Sequence, residues 1–401
     1  MPAFRAWKQI NFAQQPTSVS LFSSAQSVAQ FEHQVAAFQK YMLACASFLS
    51  DETNLNPMRA KLYVSIISFC LLGLLFSCNR SASSPNKLLI YTPHGQDMLR
   101  DFVAQYKTQH PEVTVEFLDM GSREILERAR AERNRPQADL WWGAAHTTFQ
   151  TAAEENLLAP YRPSWAMNVP ESSRDANDNW YGTYQTPEVI VYNSDAVKAE
   201  EAPKDWDDVL DPKWRDKILI RNPNPSDSMR AIFGAMIWRF YKDTGSPDRG
   251  YDWLRRLDAN VHEYTADGTL LMQKLVRREG LITLWNLPDV WLYKEQKGFP
   301  IAYNFPASGT PVITDGIAIV RGAQHEAEAK RFYEFVTTSE ALVLAAQKYY
   351  RVPVRNDIDR SQLPAWMNDK VNAMSLDWNV LRKQSGEWLR YWDTEIREHN
   401  K

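Results

Sequence analysis

Apolar positions in the first part of the main body follow two alternating patterns. Short continuous apolar runs have the length of buried strands, and the segments between them place apolar residues on one face at helical spacing. Between residues 97 and 109, for example, Met98, Phe102 and Tyr106 recur every four residues. This repeated strand and helix order predicts an α/β fold whose parallel sheet is covered by helices. The predicted elements are strand 87–91, helix 97–109, strand 113–117, helix 122–133 and strand 138–142.

A second α/β unit is predicted after Tyr184. The segment 187–192 is a strand that we expect to cross into this unit, and 315–320 is a strand that leads back to the first unit. Two lobes joined by crossing strands form a hinged clamp that is suited to closing on a small ligand. The other predicted elements are helices at 206–210, 250–257, 268–278, 326–337 and 339–349, strands at 280–285 and 299–305, and a mostly helical segment at 365–399.

One stretch of the second unit, Ile218–Phe240, has the pattern of a strand, a tight turn and a helix. A short apolar run ends at a turn with two prolines, and the next helix needs partners for its first backbone N–H groups. Ser226 and Ser228 lie at that helix start, where they either cap the helix or help its positive end to hold an anion. Arg221 and Arg230 flank the turn and add positive charge.

Composition narrows the class of protein. Of the 401 residues 44% are hydrophobic and 24% are charged, which suits a globular chain of two domains. A net charge near −3 argues against a nucleic-acid-binding protein, which needs a basic face. Cys45, Cys70 and Cys78 all precede the main body, so no disulfide framework is expected there. The histidines lack metal-ligand spacing and common catalytic motifs are missing, which argues against most common enzyme classes but not against an enzyme with a dispersed site. We expect a protein without a metal, a cofactor or enzyme activity.

The segment from Met58 to Cys78 resembles a bacterial lipoprotein signal peptide. Arg59 and Lys61 form a basic start, an apolar run follows, and Ser77 precedes the cysteine that such signals lipidate. The apolar run is short for a membrane-spanning helix, which needs roughly 20 residues; a single-pass anchor is the alternative. The implied divisions are a polar extension at 1–57, the signal peptide at 58–78 and a Ser-rich tether at 79–86. If translation starts at Met58, the extension is a mis-assigned start of the protein.

Taken in order, several motifs resemble the extracellular solute-binding proteins of ABC importers, specifically the type II periplasmic binding fold and its ferric-iron-binding-like branch. The resemblance extends from about residue 87 to residue 355 and rests on LLIYTPHG, SREILERARAERNRPQADLWWG, YGTYQTPEVIVYN, DWDDVLDPKWRDKILIRNPNPSDS, PASGTPVITDGIAIVRGAQHEAEAKRFYEFVTTSEA and RVPVR. It implies a ligand cleft between two lobes joined by hinge strands. The implied ranges are 87–187 and 316–360 for the first lobe, 188–315 for the second lobe and 361–401 for C-terminal helices.

The resemblance implies a binding protein that captures a small solute by lobe closure and delivers it to a membrane permease. We expect a monomer in the periplasm or at the cell surface, anchored to the membrane through lipidated Cys78. In this branch the ligand is held by the loop after the first strand, the start of the second helix and the strand–turn–helix described above. The matching positions are Thr92, His94, Ser122, Arg123, Trp142, Ser226, Asp227 and Ser228. Trp285 and Asn286, at the end of a predicted strand, complete the candidate ligand-binding set.

One departure concerns the metal ligands of this branch. Its iron binders have two adjacent tyrosines after the strand that corresponds to 280–285, where this chain has Asn286-Leu287-Pro288-Asp289. Tyr349 and Tyr350 are adjacent but belong to a later helix. A small phosphorylated or otherwise anionic organic solute therefore fits better than ferric iron. Trp142 and Trp285 would offer flat faces to its carbon skeleton.

Two other functions stay open, a ferric-iron-binding protein and a secreted enzyme on the same frame that would pair Asp227 with His94. Several candidates also have a plain structural role. His94 suits a hydrogen-bonded loop, Ser122 and Asp267 suit helix caps, and Arg123 suits a solvent-facing position. Trp141 and Trp142 adjoin on a strand, so at most one faces the cleft, and we choose Trp142.

Overall fold

The computed structural model describes residues 87–368 and 370–397. The predicted N-terminal extension, signal peptide and tether, with Cys78, lie outside the described residues. Within the described ranges, no helix is both long and apolar enough to cross a membrane. The observed elements therefore concern the predicted two-lobed body and the segment that follows it.

The strands of the described region form one mixed sheet of eleven strands. In chain order they are β1 Lys87–Thr92, β2 Thr114–Asp119, β3 Leu140–Ala145, β4 Leu158–Ala159, β5 Tyr181–Asn193, β6 Ile218–Arg221, β7 Val261–Thr265, β8 Ile282–Asn286, β9 Ile301–Asn304, β10 Val312–Val320 and β11 Val352–Pro353. The spatial order is β2-β1-β3-β10-β5-β8-β6-β7, with β4 beside β10 and with β9 and β11 beside β5.

The α-helices of the same region alternate with these strands, which confirms the predicted α/β class. They are α1 Gln96–Gln109, α2 Ser122–Ala131, α3 His146–Glu154, α4 Asp227–Thr244, α5 Asp248–Asp258, α6 Gly268–Val276, α7 Leu287–Lys297, α8 Glu326–Val336, α9 Ser339–Tyr349 and α10 Trp378–Tyr391. Short 3-10 turns at Trp206–Leu210 and Pro212–Trp214 precede β6.

Strand direction follows the prediction in part. β1 is parallel to both β2 and β3, as the strand–helix–strand order requires. β10 is antiparallel to β3 and to β5, so the sheet of the first unit is mixed and the prediction of a parallel sheet is too simple. The reason is topological, because β10 returns from the second unit instead of following a crossover helix.

β5 and β10 are the two strands that cross between the lobes. The first half of β5 pairs with β10, and its second half, from Glu188, pairs with β8 and β9. Side chains of paired strands alternate between two faces. Thr186 and Asp315 therefore point to the cleft between the lobes, whereas Gln185 and Thr314 point to the rear. The strands confirm the predicted crossing, and the exact lobe boundaries stay a prediction.

Each lobe has its own hydrophobic core. In the first lobe Trp142 packs on one face of the sheet among Phe102 and Phe332, and Trp141 packs on the other face against Phe149. Because helices cover both faces of this sheet, both indoles are buried. The second lobe has a separate core around β6 and α4, and the α10 residue Trp388 belongs to it.

Two predicted boundaries differ from the structure. α2 begins at Ser122 with Gly121 as its N-cap, so Ser122 is the first helical residue and not the predicted cap. The segment predicted as mostly helical at 365–399 contains a short 3-10 turn at Ala365–Asn368 and an α-helix only from Trp378. Asp377 ends the irregular part, because its side chain accepts hydrogen bonds from the first N–H groups of α10.

Candidate functional site

A cavity of about 310 Å³ lies between the lobes, on the front of the hinge strands. Thr186 of β5 and Asp315 of β10 form part of its floor. The first lobe contributes the starts of α1 and α2, and the second lobe contributes the starts of α4, α6 and α7. Five helix N-termini thus border one small space, and each brings partial positive charge to it.

A larger cavity, of about 410 Å³, lies on the rear of the same strands. Gln185, Val312 and Thr314 face it, and Trp366 and Trp378 of the C-terminal segment border it. Three helices, α3, α7 and α10, begin at its wall with His146, Leu287 and Trp378, whereas the front cavity has five helix N-termini and also the Arg221 side chain. We therefore assign the solute site to the front cavity, which we call the cleft.

The helix N-termini at the cleft are of two kinds. α4, α6 and α7 are capped by their own N-cap side chains, Ser226, Asp267 and Asn286, each of which accepts a hydrogen bond from a backbone N–H of the first turn. α1 and α2 have the N-caps Gly95 and Gly121, which supply no side-chain cap. The first-lobe helices therefore present backbone donors that a bound anion could use.

Seven of the ten candidate ligand residues border the cleft. Ser226 has the predicted capping role, and its Oγ lies 3.3 Å from the N–H of Met229. The Trp285 ring lies beneath the Arg221 guanidinium. The residues that border the cleft are His94, Ser122, Ser226, Asp227, Ser228, Trp285 and Asn286.

The other three candidates lie elsewhere, which corrects the prediction for them. Thr92 is completely buried, and its Oγ1 accepts the N–H of His94 at 3.1 Å, so it shapes the loop. Trp142 is completely buried in the first-lobe core, because helices cover both faces of its sheet. Arg123 points along α2 toward Glu127, at 3.9 Å, and borders a separate small space beside α3 and α10.

His94 is neutral at the wall of the cleft. Its ring packs edge-on against Trp142 and Tyr184, with ring centroids 5.5 and 5.6 Å apart. Burial, with a smaller effect from the Arg351 guanidinium, lowers the pKa of His94 well below its usual range. Gly143 is necessary beside it, because a Cβ there would lie 2.8 Å from His94 Nε2. His94 therefore offers an aromatic and neutral polar surface but no positive charge.

Arg221 is the cation at the end of β6. Its guanidinium lies over the Trp285 ring, 5.6 Å from the centroid. Nε is buried and has no hydrogen-bond partner among the described residues. Burial lowers the pKa of Arg221, whereas the charges of Asp289, Asp267 and Asp227 raise it. The side chain stays charged at neutral pH, since an arginine pKa lies far above 7.

Asp289 and Arg351 form the polar link across the back of the cleft. Arg351 Nη2 lies 3.3 Å from Asp289 Oδ1. Asp289 Oδ2 accepts from Asn286 Nδ2 at 2.9 Å and from Trp285 Nε1 at 3.2 Å. Sequence reasoning did not select Arg351, although it lies in the RVPVR motif; no local pattern marks its contact with a residue 62 positions away.

Two acidic groups lie at the hinge. Burial raises the pKa of Asp315 to about 7, while the hydrogen bond from Thr186 Oγ1, 2.7 Å long, opposes this shift. Burial also raises the pKa of Glu188 well above its usual range, against a smaller opposite effect of the Ser228 hydroxyl. Neither carboxyl oxygen of Glu188 completes a hydrogen bond within the described region. The raised pKa of Asp315 reduces its negative charge near neutral pH and so weakens its repulsion of an anion in the cleft.

The adjacent tyrosines are remote from the cleft. Tyr349 donates to the Asp97 carbonyl and contacts Asp101, and Tyr350 stacks on Trp291. No group of three His, Cys, Asp or Glu residues suited to a metal ion occurs among the described residues. The enzyme alternative lacks its expected geometry too, because the Asp227 carboxylate bonds to Ala145 and Thr148.

Comparisons with known proteins identify the family. Residues 138–384 match the family model of bacterial extracellular solute-binding proteins. A probable ABC transporter periplasmic-binding protein of Sinorhizobium fredii is 29% identical over 314 residues, which cover 78% of this chain and 87% of that protein.

Solved structures of binding proteins have the same fold. A periplasmic binding protein of Actinobacillus pleuropneumoniae with bound fructose-6-phosphate superposes with a TM-score of 0.68 at 23% identity, over 78% of this chain and 98% of that one. A ferric binding protein of Campylobacter jejuni superposes with a TM-score of 0.66 at 17% identity, over 76% of this chain and 98% of that one. The predicted two-lobed fold and the prediction of a binding protein, not an enzyme, are confirmed. The chain belongs to the family of bacterial extracellular solute-binding proteins and has the two-lobed fold of type II periplasmic binding proteins.

Proposed function

We propose that the cleft captures a small anionic or phosphorylated organic solute by lobe closure and presents it to the permease. The observation that carries this proposal is Arg221, a guanidinium at the cleft whose buried Nε has no hydrogen-bond partner among the described residues. A buried hydrogen-bond donor without an acceptor is unfavourable, and an anionic solute would supply the missing acceptor. Asp289, the neighbouring carboxylate, is already bonded to Arg351.

The helix N-termini support the same solute class. α1 and α2 lack side-chain caps, so their backbone N–H groups can bind phosphate oxygens. The Trp285 face beside Arg221 suits the carbon skeleton of such a solute. A volume of about 310 Å³ is at the small end for ligand pockets, which favours a solute of metabolite size.

Ferric iron is the second candidate, because a ferric binding protein is among the structural neighbours. The residues after β8 argue against ferric iron as the solute. Leu287 and Pro288 open α7 where the resemblance would require two tyrosines, and Asn286 caps that helix. Hard ferric iron prefers several anionic oxygen ligands. The cleft is lined by Asp119, Asp227, Asp267, Asp289 and Asp315. Of these, Asp289 is paired with Arg351, Asp227 is bonded to Ala145 and Thr148, and Asp267 caps α6.

The test is binding of inorganic phosphate, a hexose phosphate and ferric citrate, measured by calorimetry on the parent, Arg221→Met and Arg215→Met. Arg215 is exposed, lies in the same lobe and loses the same charge. We expect the parent to bind the anions. Arg221→Met should weaken this binding about 10- to 100-fold, which corresponds to the loss of a charge-assisted hydrogen bond, and Arg215→Met should leave it unchanged. Ferric binding without anion binding, or equal effects of both variants, would refute the anionic solute.

We also propose that Cys78 is the lipidated N-terminal residue of a mature monomer. The support is the basic start, apolar run and Ser77-Cys78 of the signal-like segment. Mass spectrometry of membrane-extracted protein is expected to show a diacylglyceryl group on Cys78 and no residues before it. Cys78→Ser is expected to keep the preceding segment, whereas Cys70→Ser should process normally. An unmodified Cys78 in the parent would contradict the proposal, and light scattering tests the monomer.

A further inference from the structure

The carboxylate of Asp227 joins the two lobes. Asp227 is the first residue of α4 in the second lobe. Its Oδ2 accepts a hydrogen bond from the backbone N–H of Ala145 at 3.0 Å, and both of its oxygens lie 3.2 Å from Thr148 Oγ1. Ala145 and Thr148 belong to the first lobe, where Ala145 is the N-cap of α3. A residue of one lobe thus caps a helix of the other lobe.

Both ends of α3 depend on partners outside the first-lobe sheet. α3 has no cap from its own N-cap side chain, and an acid at its positive N-terminal end is favourable. Its last residue, Glu154, pairs with Arg382 of α10 at 2.6 Å. α10 is also bonded to α4, because Arg230 donates to Ser385 Oγ at 3.1 Å. The three helices therefore form one polar connection between the lobes.

The backbone before α3 adds a reason for this contact. Gly143 and Ala144 have φ values of 101° and 126°, and alanine rarely adopts such a value. Conformations of this kind persist only where their surroundings hold them, and they often occur where a protein switches or binds. The N–H that Asp227 accepts belongs to the next residue, Ala145. The hydrogen bond from Ala145 to Asp227 therefore stabilises the backbone conformation of Gly143 and Ala144.

We propose that Asp227 is a closure latch, which raises solute affinity by stabilising the closed lobes and not by touching the solute. Its side chain borders the cleft, yet both oxygens are engaged by the first lobe. Because the acceptor and the donors belong to different lobes, we infer that these bonds break when the lobes separate. An interaction present in one state alone shifts the equilibrium toward that state. The latch rests on the closure proposed above but not on the identity of the solute.

Thr148 separates a latch from a direct solute contact. It lies in the first lobe, is almost completely buried, and borders the small space beside α10 and not the cleft. Thr148→Val keeps its shape and removes only the hydroxyl donor to Asp227. Asp227→Asn removes the charge of the acceptor. If both residues act through one contact, their combined effect must be smaller than the product of the single effects.

Closure can be measured without any solute. Gly121 and Pro225 face each other across the cleft, since a Cβ on Gly121 would lie 3.4 Å from the Pro225 carbonyl oxygen. Cysteines at these two positions, in the detergent-extracted full chain with its native cysteines replaced by serine, can be joined by a short bifunctional thiol reagent. The rate of joining is proportional to the population of closed molecules. Asp248→Asn, at the exposed first residue of α5, is the matched control.

We expect Asp227→Asn to slow the joining about tenfold, because it loses a charge-assisted hydrogen bond, and Thr148→Val to slow it about threefold. The double variant should slow the joining no more than Asp227→Asn alone. Asp248→Asn should not change the rate. Unchanged rates in both latch variants, or a double variant equal to the product of the singles, would overturn the latch. Because no solute is added, failure of the anionic-solute proposal would leave this result intact.

Discussion

Gly268, the first residue of α6, is predicted to be intolerant of any side chain. A Cβ at this position would lie 2.6 Å from Trp285 Cζ2 and 3.1 Å from Cη2, whereas carbon atoms in contact are about 3.5–4.0 Å apart. The indole therefore has to move by about 1 Å. It is 3% exposed, is bonded to Asp289 and carries Arg221 over its face, so it has little room. Overpacking of this kind costs about 1–3 kcal/mol, and we expect Gly268→Ala to destabilise the fold by that amount.

The measurement is urea unfolding followed by circular dichroism, with Gly386→Ala as the matched control. A Cβ on Gly386 meets no atom within 4 Å, and the residue lies inside α10. Alanine is a better helix former, so the control should gain up to about 1 kcal/mol. Gly268→Ala should also weaken binding of inorganic phosphate, because the displaced indole shifts Arg221. A Gly268→Ala protein as stable as the parent would refute the close approach of α6 to Trp285.

Two further predictions concern the hinge and the cleft rim. Burial raises the pKa of Asp315 from its ordinary value to about 7, so the folded state binds the proton more tightly and the contribution of Asp315 to stability is lost as pH rises toward 7. Asp315→Asn should therefore unfold at a higher urea concentration than the parent at pH 8 and near the same concentration at pH 5; a pH-independent difference would contradict this. Gly121→Val should hold Pro225 away and favour open lobes, because its extra methyl groups have no space beyond 3.4 Å. X-ray scattering should then give a larger radius of gyration in phosphate, and an unchanged radius would disprove the contact.

Local patterns predicted the elements that border the site. The turn and helix after β6 begin as expected with Ser226 as N-cap, and Asp267 caps α6 as expected. These features depend on residues within one helical turn, so neighbouring residues in the chain suffice to define them. The same is true of the crossing strands, whose apolar runs and turns are local.

Side-chain direction could not be predicted in the same way. The choice of Trp142 over Trp141 rested on strand position, but both indoles are buried because helices cover both faces of the sheet. The side chain of Thr92 is buried and accepts a hydrogen bond from the backbone of its own loop. Arg351 reached the cleft only through the return of the chain to the first lobe, next to β11, which pairs with β5.

The amino-acid sequence by itself determined the α/β order, the helix starts near the cleft and the solute-binding family, since these depend on short-range periodicity and on motif order. Tertiary structure alone decided which of those helix starts stay available to a solute and which are occupied by the protein itself. Asp227 looked like a ligand residue in the chain, but its carboxylate caps a helix 82 positions away. Such assignments depend on distances between residues far apart in sequence, and only the packing of the two lobes sets those distances.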